Sequence, residues 1–344
     1  MKILVIRQGA FGDMLIITPI LRFLKSRGHE VHVLTSDRGR DILKNNTNVD
    51  KLHYIEAKER TDEELHKAWK EKEEEIKAEK VINFTESIEV HIALHPRSPK
   101  YNWPKAERKA VANKNYYEET LNWSKLPLDE KAMYDCMESD FFNPEMFYDF
   151  EELSQAKNYV RPDKFNILVC LSGSGKNKAY PWMPAVMGEC IKEIEDVHLI
   201  TVGDEMCQLL EIQGEKVTNL SGKIPIRVSM ALTGLVDLVI SPDTGVLHAS
   251  GQYDTPKIGL LGHTTIENIT KHFRNDYSIE ADERSAECAP CFRLIYNVSI
   301  QCPQDPLSKA AYCMSHGIDP KEVFNRIKEV YAKHGRKEVS KLSS

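Results

Sequence analysis

Three short segments of this 344-residue chain combine small residues, carboxylates and lysine in spacings suited to a phosphorylated ligand. The first, Gly9-Ala10-Phe11-Gly12-Asp13, lies between an apolar run and a helical pattern. Backbone N–H groups at such a helix N-terminus favour anions. Asp13 reads two ways: as a capping carboxylate, or as a general base at the carboxyl end of a parallel strand, where such sheets bind ligands. The second segment, Ser172-Gly173-Ser174-Gly175-Lys176-Asn177-Lys178, offers close backbone approach, hydroxyl donors and two cations, a set that suits a diphosphate. A flexible Gly/Ser loop with solvated lysines is the plainer reading. The third, Ser241-Pro242-Asp243-Thr244-Gly245-Val246-Leu247-His248, follows another apolar run and opens a helix. Thr244, Gly245 and the next amides could receive an anion. Asp243 could instead be only a cap, and His248 a core histidine.

A fourth group is Cys288-x2-Cys291-x10-Cys302-x10-Cys313. Four thiolates can close a tetrahedral zinc or iron site, although only one CxxC knuckle is present. Four reduced cysteines packed together are the alternative. Nothing there reads as catalytic, so a bound metal would pin a loop. A basic strip also runs from His95 to Lys114, where Arg97, Lys100, Lys105, Arg108, Lys109 and Lys114 oppose only Glu107. It suits acceptor docking, to a phosphorylated glycolipid or a nucleic acid, or it is a solvated face, the favoured reading.

The elements that must position these residues follow a βα rhythm. Lys2 to Ile6 reads as a buried strand, Met14 to Lys25 as a helix stopped by Gly28, and Glu30 to Thr35 as the next strand. Residues 56–80, rich in both charges with a thin stripe of Leu65, Trp69 and Ile76, predict a surface helix. Val81 to Phe84 is a further strand, and 120–160 reads as loops and short helices. The rhythm restarts after Arg161-Pro162-Asp163: strand Phe165 to Leu171, helix Met183 to Ile194, strand His198 to Val202, strand Leu235 to Ile240, helix from Gly245 to Ser250, strand Lys257 to Leu261. Asp319-Pro320 begins a closing helix with Val323, Phe324, Ile327, Val330 and Tyr331 on one face, and the tail from Gly335 is expected to fray. The expected domains are 1–160, 161–318 and a closing helix with tail at 319–344.

Composition narrows the function classes. The chain has 46 Lys+Arg against 52 Asp+Glu, a formal net charge of −6, and is 41% hydrophobic. That argues against disorder and against bulk binding to nucleic acid. Its apolar runs fall short of the ~18 residues of a membrane span, and the first apolar run is too short for a signal peptide. A cytoplasmic protein is expected, with the inner membrane face as a peripheral location. Neither glycine-rich turn has the Gly-x-Gly-x-x-Gly spacing of a dehydrogenase.

The three segments together resemble the ADP-heptose:lipopolysaccharide heptosyltransferase family, glycosyltransferase family 9. Ile6-Arg7-Gln8-Gly9-Ala10-Phe11-Gly12-Asp13-Met14-Leu15 with Thr18-Pro19 is similar to the family's opening strand and Gly-Asp turn. Lys178-Ala179-Tyr180-Pro181, Asn219-Leu220-Ser221-Gly222-Lys223, Asp243-Thr244-Gly245-x-x-His248 and Gly262-His263-Thr264-Thr265 resemble its donor-domain series. His263 departs from the proline many members carry. The resemblance covers about residues 1–60 and 165–330. It implies an α/β fold of GT-B type, two Rossmann-like parallel-sheet domains facing across a cleft. It also implies inverting transfer of a sugar, such as a heptose, from a nucleotide diphosphate donor, ADP-linked by preference, to an acceptor hydroxyl such as a lipopolysaccharide core sugar or another glycan or glycolipid.

Carried over, Asp13 would be the base and Lys178 would pair with the donor phosphates. Ser174, Asp243, Thr244, Gly245, His248 and Gly12 would shape the donor site. No cofactor would be needed for catalysis. Some family members that glycosylate proteins carry a four-cysteine iron finger, which the cysteines here resemble. Rival readings are a family enzyme with a protein or nucleic-acid acceptor, a nucleotide-sugar epimerase, and an inert two-lobed nucleotide-binding protein.

Overall fold

The computed structural model describes residues 1–56, 61–85, 98–126, 140–173, 175–293 and 302–335. The apolar run after Met1 becomes β1 (Lys2–Ile6), followed by α1 (Phe11–Ile16), α2 (Thr18–Ser26), β2 (Glu30–Thr35), α3 (Asp37–Leu43), β3 (Lys51–Tyr54), α4 (Asp62–Ile76) and β4 (Lys80–Asn83). These strands form a parallel sheet in the order β3-β2-β1-β4. Next come α5 (Lys105–Ala112), α6 (Tyr116–Trp123) and α7 (Phe150–Lys157).

The second half runs β5 (Phe165–Cys170), α8 (Met183–Glu193), β6 (Val197–Val202), β7 (Val217–Asn219), α9 (Ile226–Ala231), β8 (Leu238–Pro242), α10 (Gly245–Ser250), β9 (Lys257–Leu261), α11 (Ile266–Ile269), β10 (Ile279–Glu280), α12 (Tyr312–Ser315) and α13 (Pro320–His334). Its sheet, also parallel, has the order β10-β9-β8-β5-β6-β7. The two parallel sheets match the expected α/β class. Strand order reverses at β1 in one sheet and at β5 in the other. Such reversals open a crevice outside the strand ends, and the Gly9–Asp13 and Ser172–Gly175 turns both leave from them.

Two boundaries moved for local reasons. The predicted helix from Met14 to Lys25 is two helices, α1 starting at Phe11 and α2 at Thr18, with Ile17 between. Pro19 has no N–H to continue the first helix but is tolerated in the first turn of the second, and the Thr18 hydroxyl donates to the Leu15 carbonyl. Strand β8 begins at Leu238 rather than Leu235, because the amides of Leu235 and Val236 still close a turn on the Leu232 carbonyl. Elsewhere the sequence pattern maps well. Trp69 and Ile76 of α4 are buried against Leu4, Ile6, Leu34 and Ile55, and the Asp319 carboxylate caps α13 through the Lys321 amide.

The core does not stop between the halves. Apolar residues of the first sheet pack in one cluster with Tyr117 and Leu121 of α6 and with Met230, Leu247, Ile269 and Phe273 of the second half. On the far side, α7 packs Ala156 against Leu168 and Cys170 of β5, and Glu152 of α7 forms a 2.6 Å ion pair with Arg227 of α9.

Three buried histidines make the fold acid-sensitive. Burial lowers His53, His198 and His263 from about 6.5 to about 4. His198 is held between Asn166 Oδ1 at 3.0 Å and the Thr218 hydroxyl at 2.9 Å. In the unfolded chain these rings take up protons near pH 6.5. Between pH 6.5 and 4 the unfolded state therefore binds more protons, and stability falls as pH falls, by about 1.4 kcal/mol per unit for each ring. A melting temperature that declines through that window is expected, and a level one contradicts the neutral burial of these rings.

Candidate active site

Asp13 sits in the first turn of α1. One carboxylate oxygen accepts the Ala10 amide at 2.6 Å, and the other meets the Arg7 guanidinium at 2.7 Å. Arg7 is buried and donates its other arm to the Phe84 carbonyl at 2.7 Å. The capping reading of Asp13 is thus correct in geometry, yet its side chain remains 16% accessible. It lines a concavity with Arg7, Ile16, Ile17, Phe84, Thr120 and Trp123. Each carboxylate oxygen keeps a further lone pair for a ligand hydroxyl. Arg7 is a residue the sequence reading quoted without a role. Its one signal was a cation directly after a fully apolar strand.

In the second half, Lys178 Nζ lies 3.1 Å from Asp243 Oδ2. The other Asp243 oxygen is 3.4 Å from His248 Nε2, and His248 Nδ1 is 2.8 Å from the Tyr117 hydroxyl. Burial alone would raise the Asp243 pKa, but the Lys178 ammonium and His248 outweigh it and hold the carboxyl well below its usual range. Asp243 is therefore not the cap of α10. Thr244 occupies that position, with its hydroxyl 2.8 Å from the Ser241 hydroxyl. His248 is buried, as the core reading expects, and contacts Asp243 and Tyr117. Ser174 lies outside the described residues. A Cβ at Gly173 would come within 2.8 Å of the Thr244 methyl and 2.9 Å of the Lys178 stem, so a larger residue there would have to displace one of them.

The two motifs touch each other. A Cβ at Gly12 would lie 2.9 Å from the His248 ring, and Gly245 packs against Phe11 and Met230. The loop carrying Asp13 and the loop carrying Asp243 thus face each other at the carboxyl ends of their sheets. Two hydroxyls of the donor-domain series, Ser221 Oγ and Thr264 Oγ1, are buried with no hydrogen-bond partner among the described residues.

The basic strip is neither free nor merely solvated. Lys105 donates to the carbonyls of Glu287 and Ala289 and pairs with Glu283 at 3.2 Å. Arg108 is buried and donates to the Cys291 carbonyl at 3.0 Å and to the Trp103 carbonyl. Lys109 also pairs with Glu283, Lys100 lies over the Trp103 ring, and Lys114 pairs with Glu119. His95 and Arg97 lie outside the described residues. The strip clasps the cysteine loop, where Phe292 packs with Tyr101 and Ala112. Local charge counting missed this because the partners of Lys105 and Lys109, and the Cys291 carbonyl that meets Arg108, lie some 180 residues away.

Cys288, Cys291, Cys302 and Cys313 carry free thiols. Burial pushes all four up, Cys302 to about 11, and Cys313 is raised further by the charges of the other three. Among the described residues, however, no group of three or more His, Cys, Asp or Glu side chains is gathered as metal ligands. The tetrahedral arrangement expected from the spacing is therefore not seen.

The family model of glycosyltransferase family 9 (heptosyltransferase) matches residues 74–294, well over half the chain. The chain belongs to glycosyltransferase family 9. It is a glycosyltransferase of GT-B architecture, as the motifs implied. Lipopolysaccharide heptosyltransferase 1 of Campylobacter coli is 22% identical, over 96% of this chain and 99% of its own length. The family 9 glycosyltransferase of Veillonella parvula superposes with a TM-score of 0.65 at 15% identity, covering 96% of this chain and 97% of its own. ADP-heptose LPS heptosyltransferase II of E. coli gives 0.64 at 16% identity, covering 98% and 100%. These structural likenesses speak for the fold. Among the described residues no helix is long and apolar enough to cross a membrane.

Proposed function

We propose that this family 9 glycosyltransferase moves a sugar, a heptose by preference, from an ADP-linked donor to a hydroxyl of a lipopolysaccharide core sugar, with inversion at the anomeric carbon. The observation that carries this reading is the meeting of the two loops. Asp13 of one half and the Lys178–Asp243–His248 chain of the other lie on loops that meet at the Gly12–His248 and Gly245–Phe11 contacts. Asp13 takes the acceptor proton as the hydroxyl attacks. Lys178, with the amides at Thr244 and Gly245, meets the charge that builds on the departing diphosphate, as oriented donors do. Gly12 and Gly173 allow the loops to approach closely beside the donor site. A heptose and an ADP leaving group are supported by the names of the C. coli and E. coli relatives.

The cysteine loop takes no step in this transfer. The spacing of the four cysteines would suit a thiophilic ion, zinc or iron, bracing the loop against the basic strip. That strip gives a nucleic-acid acceptor no support, since its described cations are engaged within the chain. A cytoplasmic location follows from an ADP-linked donor.

Thermal shift with ADP, UDP and GDP tests the donor. Ligand at 100 times its Kd stabilises a fold by about 2.7 kcal/mol. A shift selective for ADP is expected. A selective shift with UDP contradicts the donor assignment, and no shift with any nucleotide favours an inert relative.

A further inference from the structure

The chain of polar contacts from Lys178 through Asp243 to His248 does not end inside the second half of the sequence. Its last member, Tyr117, belongs to α6, which comes from the first half of the sequence and lies 131 positions before His248. The tyrosine is buried at 1% accessibility, and its ring packs edge-on against Phe273 at 6.0 Å. The same helix carries Thr120 and Trp123, which line the concavity beside Asp13. One helix therefore touches the base's surroundings with one part of its surface and the phosphate-side chain with another.

One set of proton positions serves every group in the chain. Asp243 is ionised beside Lys178, so it accepts, and the ring nitrogen facing it must carry a proton. With the ring proton on Nε2, Nδ1 presents a lone pair in a buried site. The Tyr117 hydroxyl supplies the donor that this lone pair requires, and burial keeps that hydroxyl protonated. An unpaired acceptor there would be costly. Polar contacts of 2.8, 3.4 and 3.1 Å then link the Tyr117 hydroxyl through His248 and Asp243 to Lys178.

We propose that Tyr117 is a positioning residue: through His248 and Asp243 it fixes the direction of the Lys178 ammonium, so that the helix flanking the acceptor side sets the donor's phosphate contact. This rests on Lys178 meeting the donor diphosphate. It assigns to residue 117 a role that no motif of the chain carries.

A double-mutant cycle on ADP affinity and donor KM tests it. Tyr117→Phe keeps the ring and removes only the hydroxyl. Expected is a roughly tenfold weaker ADP Kd in the native background, with a melting temperature close to the parent's, and no further loss in the Lys178→Ala background. Losses that add across the two backgrounds overturn the proposal, because Tyr117 then does not act through Lys178. An unchanged Kd in Tyr117→Phe overturns it as well, as does a lowered melting temperature with Kd intact. Should Tyr117→Phe fail to fold, His248→Gln enters the same cycle, keeping an N–H near Asp243 and dropping the Nδ1 acceptor. The same non-additivity is expected, and additivity overturns the proposal. If Lys178→Ala alone leaves ADP affinity unchanged, it is the reading of Lys178 that fails, a result separable from the others.

Discussion

Asp13→Asn is expected to lower turnover by about two to four orders of magnitude, the usual contribution of a positioned general base, while ADP affinity stays within about twofold. The substitution keeps the shape of the side chain and its acceptor toward the Ala10 amide, so α1 should still start in place. What disappears is the group that can take the acceptor's proton. The Arg7 guanidinium, only 4% accessible, loses its carboxylate partner but keeps the Phe84 carbonyl. A stability loss should accompany the kinetic one, because removing one partner strands a buried charge. The two effects separate in a single experiment: kcat at saturating donor and acceptor, with the melting temperature followed in parallel. Turnover within tenfold of the parent would show that another group, or water, takes the proton.

Lys178→Ala should act on the opposite side of the reaction. Charged hydrogen bonds contribute about 1.5–3 kcal/mol, so ADP should bind roughly 10- to 100-fold more weakly. The loss at the transition state should be at least as large, because charge on the leaving diphosphate peaks there. Stability suffers too. Asp243 is 12% accessible and would face His248 alone, the situation in which broken buried pairs cost about 3–5 kcal/mol. The double variant Lys178→Ala with Asp243→Asn should recover part of that stability without recovering affinity. Calorimetric titration with ADP and a thermal melt check both. Affinity that returns with stability would mean that Lys178 serves only the fold.

Much of the fold could be read directly, and the reason is burial on both faces. Strands β1, β2 and β9 and helix α10 have the bounds that the apolar runs and glycine turns imply, since fully buried parallel strands read as uninterrupted apolar segments. The loops leaving β1, β5 and β8 were legible for the same reason: each is punctuation between two strong patterns. The site was legible only in part. Asp13, Lys178 and Asp243 stand in motifs, whereas Arg7's second partner, the Phe84 carbonyl, lies 77 positions on, and Tyr117 gains meaning only from His248. Pairings at such separations leave no periodic trace in a sequence. The basic strip shows the converse: a run of like charge looks solvated until the carbonyls of a distant loop are placed against it.

The most direct measurement follows ADP release from ADP-heptose with and without a lipopolysaccharide-core acceptor, and records the anomeric configuration of the product by NMR. Release that requires the acceptor, disappears in Asp13→Asn and yields the inverted glycoside is the expected result. Acceptor-independent release, or a product that retains its anomeric configuration, would contradict transfer by a base at Asp13 facing a diphosphate held by Lys178.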